Sequence, residues 1–105
     1  MPYWSKIARQ LAQIVDDKLE RLRVTGYDEL AAMPRGREDV EIMGRRGVIG
    51  ICVEHPDDST VRIILQGSVP VRWPFPGSHW HVVGLQKTRD GVCRELDGIE
   101  LSEYD

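Results

Sequence analysis

The sequence predicts an α+β fold: a long N-terminal amphipathic helix and a short second helix, packed on one face of a four- to five-stranded antiparallel sheet. Three observations predict it. Apolar residues recur every three or four positions from Trp4 to Leu22, they alternate every second position from Asp39 onward, and short connections rich in Gly, Asp, Ser and Pro separate the alternating runs. The helical pattern precedes the strands instead of interleaving with them, which selects an antiparallel sheet over a parallel βαβ arrangement.

Trp4, Ile7, Ala8, Leu11, Ile14, Val15, Leu19 and Leu22 form one stripe, so a helix is expected over Ser5 to Arg23. Lys6, Arg9, Gln13, Asp16, Asp17 and Glu20 fall mostly off the stripe, toward water. Gly26 closes this region. Tyr27 to Met33 then predicts a short helix with Tyr27, Leu30 and Met33 inward and Thr25 or Asp28 as its cap.

Strands follow. Asp39 to Met43 places Val40 and Ile42 on one face, and Gly44-Arg45-Arg46-Gly47 is the expected hairpin connection. Gly47 to Glu54 sets Ile49, Ile51 and Val53 opposite Val48, Gly50 and Cys52. Thr60 to Gln66 sets Val61, Ile63 and Leu65 opposite Arg62, Ile64 and Gln66. A strand over Ser78 to Lys87, a turn at Thr88-Arg89-Asp90-Gly91 and a strand over Val92 to Leu96 complete the sheet. Asp97 to Asp105 is expected as a short helical turn or an edge.

Composition narrows the function classes. A chain of 105 residues with 41% hydrophobic and 30% charged residues is one globular domain, residues 1–105, with enough apolar matter for a core. A formal charge of -3 opposes a general nucleic-acid surface. Acids outnumber bases six to two from Arg89 to Asp105, while bases outnumber acids five to three from Met1 to Arg23. The two ends can therefore pair. Cys52 and Cys93 lie in no Cys-x-x-Cys motif and read as buried thiols, and no apolar run approaches the roughly 20 residues that span a bilayer. A cytoplasmic protein is expected, with no membrane partner.

The segment from Pro70 to His81 concentrates the chain's recognition chemistry. It holds two of three Trp, the one Phe, three of six Pro and two of three His. Proline fixes φ and removes a donor, so Pro70, Pro74 and Pro76 are expected in an exposed, stiff connection that displays Trp73 and Phe75 at little entropic cost. Arg72, Trp73, Phe75, His79, Trp80 and His81 are the candidate binding residues. His79 and His81 share a strand face; with Val83 and Leu85 inward, the better apolar pair, both histidines lie on the core side and Trp80 and Val82 point away, whereas the other register puts Trp80 and Val82 in the core and both histidines at the surface.

Other chemistry is weaker. His79 and His81 can share a metal, with His55, Cys52, Asp57 or Asp58 as completing ligands, but two histidines are half a site, so neither a metal nor a cofactor is assigned. Arg45 and Arg46, with Arg35 and Arg37, are candidates for holding an anion or nucleic-acid backbone, though Glu38, Asp39 and Glu41 oppose this. No Gly-x-Ser-x-Gly elbow, Gly-rich phosphate loop or cysteine beside a histidine occurs, and no catalytic residue is assigned.

One further feature bears on function. A helix covers one sheet face, yet Val48, Cys52 and Ile64 place apolar atoms on the other. The aromatic-proline loop folding back, or a second copy of the chain, would cover them. The expected function is thus a non-enzymatic protein-interaction or regulatory module, binding a protein partner or itself as a homodimer. A pocket between helix, sheet and the 70–81 loop, lined by Arg72, His79 and His81, is the alternative for a small ligand or a small enzyme.

Overall fold

A computed structural model describes residues 3–71 and 77–101 of the chain. Helix α1 spans Tyr3–Arg23 and α2 spans Tyr27–Ala31, followed by strands β1 Gly36–Ile42, β2 Arg45–Asp57, β3 Thr60–Val71, β4 Gly77–Thr88 and β5 Cys93–Glu95, and a last turn of helix, α3, at Gly98–Leu101. The five strands form one antiparallel sheet in the order β1-β2-β3-β4-β5. The α+β expectation holds.

The stripe on α1 does what its spacing requires. Ile7, Leu11, Val15 and Leu19 are each exposed by 2% or less, and burying four such side chains contributes roughly 6–12 kcal/mol before entropy is counted. They pack with Ile42, Ile49, Val53, Val61, Ile63, Leu65, Val69 and Leu85 from the sheet, and with Leu30 of α2. α2 has no side-chain cap: Gly26 occupies the N-cap, and the Thr25 hydroxyl instead donates to the Arg21 carbonyl at 2.9 Å. Its last turn also stops short of Met33.

Several strand boundaries depart from expectation: β1 begins at Gly36, β2 runs on to Asp57 and β5 is only Cys93–Glu95, and two further departures have a clear physical reason. The β1–β2 hairpin turns on Met43 and Gly44 alone, with φ of 51° and 78°, because a two-residue turn that follows the strand twist needs positive φ at both positions. Arg45 and Arg46 therefore belong to β2, opposite Ile42 and Glu41. Pro70 and Val71, expected in a loop, extend β3. Proline is tolerated there because the β2–β3 pairing ends at Val48↔Ser68, while the β3–β4 pairing runs on to Val71↔Gly77.

Register sorts the side chains into rows. On the helix face, Ile49, Gly67 and His81 align across β2, β3 and β4; on the far face, Val48, Ser68 and Trp80 align, as do Cys52, Ile64 and Gly84. Gly67 is required by close approach, since a Cβ there would lie 2.6 Å from Val15 Cγ2 and 3.0 Å from Leu11 Cδ1. The helix sits directly on this glycine.

The far face is half covered by the chain itself. Ile64 is fully buried, and at its partner Gly84 a Cβ would lie 2.7 Å from Leu96 Cδ1 and 3.3 Å from Leu101 Cδ2. The segment after β5 therefore supplies a second layer over that row. In the row of Val48, Ser68 and Trp80, Trp80 is 61% exposed while Val48 and Ser68 are half-buried.

Candidate functional site

Of the candidate binding residues, Arg72, Trp73 and Phe75 lie outside the described residues. His79, Trp80 and His81 stand on β4, and their facing is settled by the register: Val83 and Leu85 point to the core, both histidines share that face, and Trp80 lies on the other.

α1 reaches β4 through the glycine seat. With Val15 packed on Gly67, the next helical residue, Asp16, falls beside His81, whose row includes Gly67. His81 Nε2 and Asp16 Oδ1 are 3.0 Å apart. Asp16 stays 56% exposed, so the pair sits at the rim of the helix–sheet interface.

Further ties fix the end of the helix. Lys87, 8% exposed, donates from Nζ to the Arg23 carbonyl at 3.0 Å and the Thr25 carbonyl at 2.6 Å. A cation on the last carbonyls of a helix satisfies orphan acceptors and opposes the helix dipole. Arg23 Nη2 meets Glu95 Oε1 at 2.8 Å. The charge asymmetry between the two ends of the chain is thus partly used within the fold.

Backbone groups on the outer side of β4 define the most unusual feature. β5 pairs only with Leu85, Gln86 and Lys87. The Leu96 N–H donating to the Gly84 carbonyl, and the Thr88 N–H donating to the Val92 carbonyl, show that even-numbered residues of β4 direct their backbone groups outward. By strand alternation the same holds for Val82, Trp80 and Ser78. Among the described residues nothing pairs with Gly77 to Val83 on this side. Those seven residues contain no Lys, Arg, Asp, Glu or Pro.

The opposite edge is different. β1 carries Arg37, Glu38, Asp39 and Glu41 along seven residues. Charges on an edge strand discourage pairing with another chain. One edge is guarded; the other, from Gly77 to Val83, has no partner among the described residues.

The alternative sites fare less well. A cleft of about 460 Å³ at the β1–β2 hairpin is lined by Arg45 and Arg46 but also by Asp39 and Glu41, so its carboxylates compete with any anion. Arg45 also donates from Nη1 to the Pro70 carbonyl at 3.5 Å, and Arg35 from Nε to the Val53 carbonyl at 3.3 Å. A cleft of about 410 Å³ between α1, β4 and the last helical turn is lined by Asp16, Glu20 and Glu95 over Leu19, Val83 and Leu96. It includes neither His79 nor His81 in its lining. Among the described residues of one chain, no three His, Cys, Asp or Glu converge on a metal position, and His55 stands exposed near the far end of β2. Cys52 and Cys93 are free thiols.

Asp57 and Asp90 are turn residues. Asp57 accepts from the Ser59 N–H at 2.8 Å and from the Ser59 hydroxyl at 3.0 Å; the backbone bond, then side-chain bonds from Thr60 and Ser59, hold its carboxyl below the ordinary range. Asp90 is lowered chiefly by the Thr88 hydroxyl. Both are solvent-exposed and do structural work in hairpins.

Sequence reasoning missed the bare edge. The signal was present in the short β5 and the absence of charge from Gly77 to Val83, but it emerges only once β4 is known to outrun β5. Comparison of the chain with protein-family models, curated proteins and solved structures finds no match. No helix among the described residues is long and apolar enough to cross a membrane.

Proposed function

We propose that this protein is a small interaction module, not an enzyme, and that it acts by pairing with a second copy of itself along the outer edge of β4. The run from Gly77 to Val83, free of Lys, Arg, Asp and Glu and unpaired among the described residues, carries this reading. Its row of outward N–H and C=O groups calls for another strand. The midpoint of the run is Trp80, so antiparallel pairing centred there uses the whole free edge. Trp80 then meets Trp80 of the copy, Ser78 meets Val82 and Gly77 meets Val83, with about six interchain hydrogen bonds from the even-numbered residues. The far face of the sheet then continues across both copies, with two tryptophans adjacent at its centre. A reducing cytoplasm, where Cys52 and Cys93 remain thiols, is the setting we assign.

The test is the solution mass of untagged protein by light scattering and sedimentation, against the 12.0 kDa of one chain. The wild type should be a dimer. Trp80→Lys places like charges directly opposite each other across the two-fold axis and should give monomers; Ser78→Pro removes an outward donor without touching the β3 ladder and should weaken association. Because Trp80 is 61% exposed, the melting temperature of the Trp80→Lys monomer should stay near that of dissociated wild type. A wild type that stays monomeric at its highest soluble concentration refutes the proposal.

A further inference from the structure

Self-pairing of β4 has a chemical consequence on the helix face. His79 and His81 of one chain lie on that face two residues apart, about 7 Å along the strand. In the register centred on Trp80, His79 stands directly opposite His81 of the copy, and His81 opposite its His79. Odd-numbered residues form the non-hydrogen-bonded pairs of this ladder, whose Cα atoms approach to about 4.5 Å and whose side chains come closest. Two half-sites that fall short of a metal centre in one chain become four imidazoles around one axis.

Resting on the proposed β4 pairing, we infer that the dimer binds a single transition-metal ion of the zinc class through His79 and His81 of both chains. Four neutral imidazoles suit a tetrahedral ion with metal–nitrogen distances of about 2.0–2.1 Å. The existing hydrogen bond supplies the orienting shell. With the Nε2 proton of His81 donated to Asp16 Oδ1 at 3.0 Å, Nδ1 keeps its lone pair for the metal, the carboxylate–histidine–metal arrangement that fixes ring and tautomer. The helices leave room. α1 is seated on Gly67 of β3, so with strands spaced about 4.8 Å the two seats lie about 14 Å apart across the two-fold, which leaves the β4–β4 seam accessible between the helices. The site would be flanked by the two helices, with an Asp16 from each.

The probes are zinc chloride followed by native mass spectrometry, and cobalt(II) followed by visible absorption, on metal-stripped protein. The expected result is one zinc per dimer, a tetrahedral cobalt spectrum, and a dimer that forms at lower protein concentration with zinc than without it. His79→Ala and His81→Ala should lose the metal and the zinc effect while keeping the fold. Asp16→Asn, a change at a positioning residue, should keep the one-to-two stoichiometry and weaken affinity by about 10–100-fold. A dimer that takes up no zinc overturns the metal site and leaves the edge reading intact. A protein monomeric with and without zinc overturns both, and a monomer binding zinc one-to-one overturns this site by showing that its ligands lie within one chain.

Discussion

Replacing Lys87 with methionine should destabilise the fold by about 2–4 kcal/mol, and the arithmetic follows from where the ammonium sits. Its Nζ donates to the Arg23 carbonyl at 3.0 Å and to the Thr25 carbonyl at 2.6 Å in a site where the residue is 8% exposed. Hydrogen bonds involving a charged partner contribute about 1.5–3 kcal/mol each, so removing two forfeits about 3–6 kcal/mol. Methionine keeps the aliphatic stem and avoids desolvating an ammonium, which returns about a third of that sum. Urea unfolding by circular dichroism measures the difference. The midpoint should fall with the slope m unchanged, and the melting temperature should drop by roughly 10–20 °C for a domain of this size. Both proteins should carry Trp80→Lys, so that dimerisation does not make stability depend on concentration. A loss under about 0.5 kcal/mol at constant m would refute the reasoning, because the two carbonyls would then be satisfied equally well by water.

Three further expectations concern the helix seat, the turns and the far face. Gly67→Ala drives a methyl to 2.6 Å from Val15 Cγ2, so overpacking should destabilise by about 1–3 kcal/mol in the same urea assay; full stability would mean that α1 does not rest on β3. Asp57 has a carboxyl pKa depressed below its ordinary 3.8, so its contribution is present above that value and is lost as pH falls through the folded-state pKa. Asp57→Ala should therefore be less stable than wild type at neutral pH, with the gap closing below pH 3.8; a gap independent of pH would sink the assignment. Gly84→Val should destabilise as well, since its Cβ would already lie 2.7 Å from Leu96 Cδ1, and an unchanged melting curve would show that the far-face layer can give way freely.

The fold was legible where one physical rule acted alone. The period of 3.6 on α1 and the period of two on β2 and β3 located the core correctly because burial on one face dictates both. The facing of His79, Trp80 and His81 was only half legible: alternation allows two registers, Val83 with Leu85 makes the better inward pair, and the pairing of β4 with β3 decides between them. Boundaries were harder, because rules competed there. The glycines at 44 and 47 suggested a four-residue connection, but a two-residue turn built on Met43 and Gly44 preserves two more ladder pairs, at Ile42↔Arg45 and Glu41↔Arg46. Pro70 suggested a loop, but the adjoining ladder had already ended, so the missing donor was harmless. Asp16 with His81 lay beyond sequence reasoning altogether: a separation of 65 residues is bridged only because a glycine on β3 lets the helix descend.

The two edges of the sheet explain why association should be specific. An unguarded strand on both sides would allow open-ended stacking, since each copy could offer one edge to the next. Here β1 presents Glu38, Asp39 and Glu41 around Arg37, and a second β1 would bring carboxylates against carboxylates. A β1–β4 contact also wastes the symmetry of the bare edge, because only β4 paired with β4 places Trp80 on an axis and matches His79 with His81 in both directions. That pairing consumes the free edge of each chain and leaves only charged ones outside. The proposed assembly would therefore close at two copies, and the same closure would bring together the four imidazoles that neither chain possesses alone.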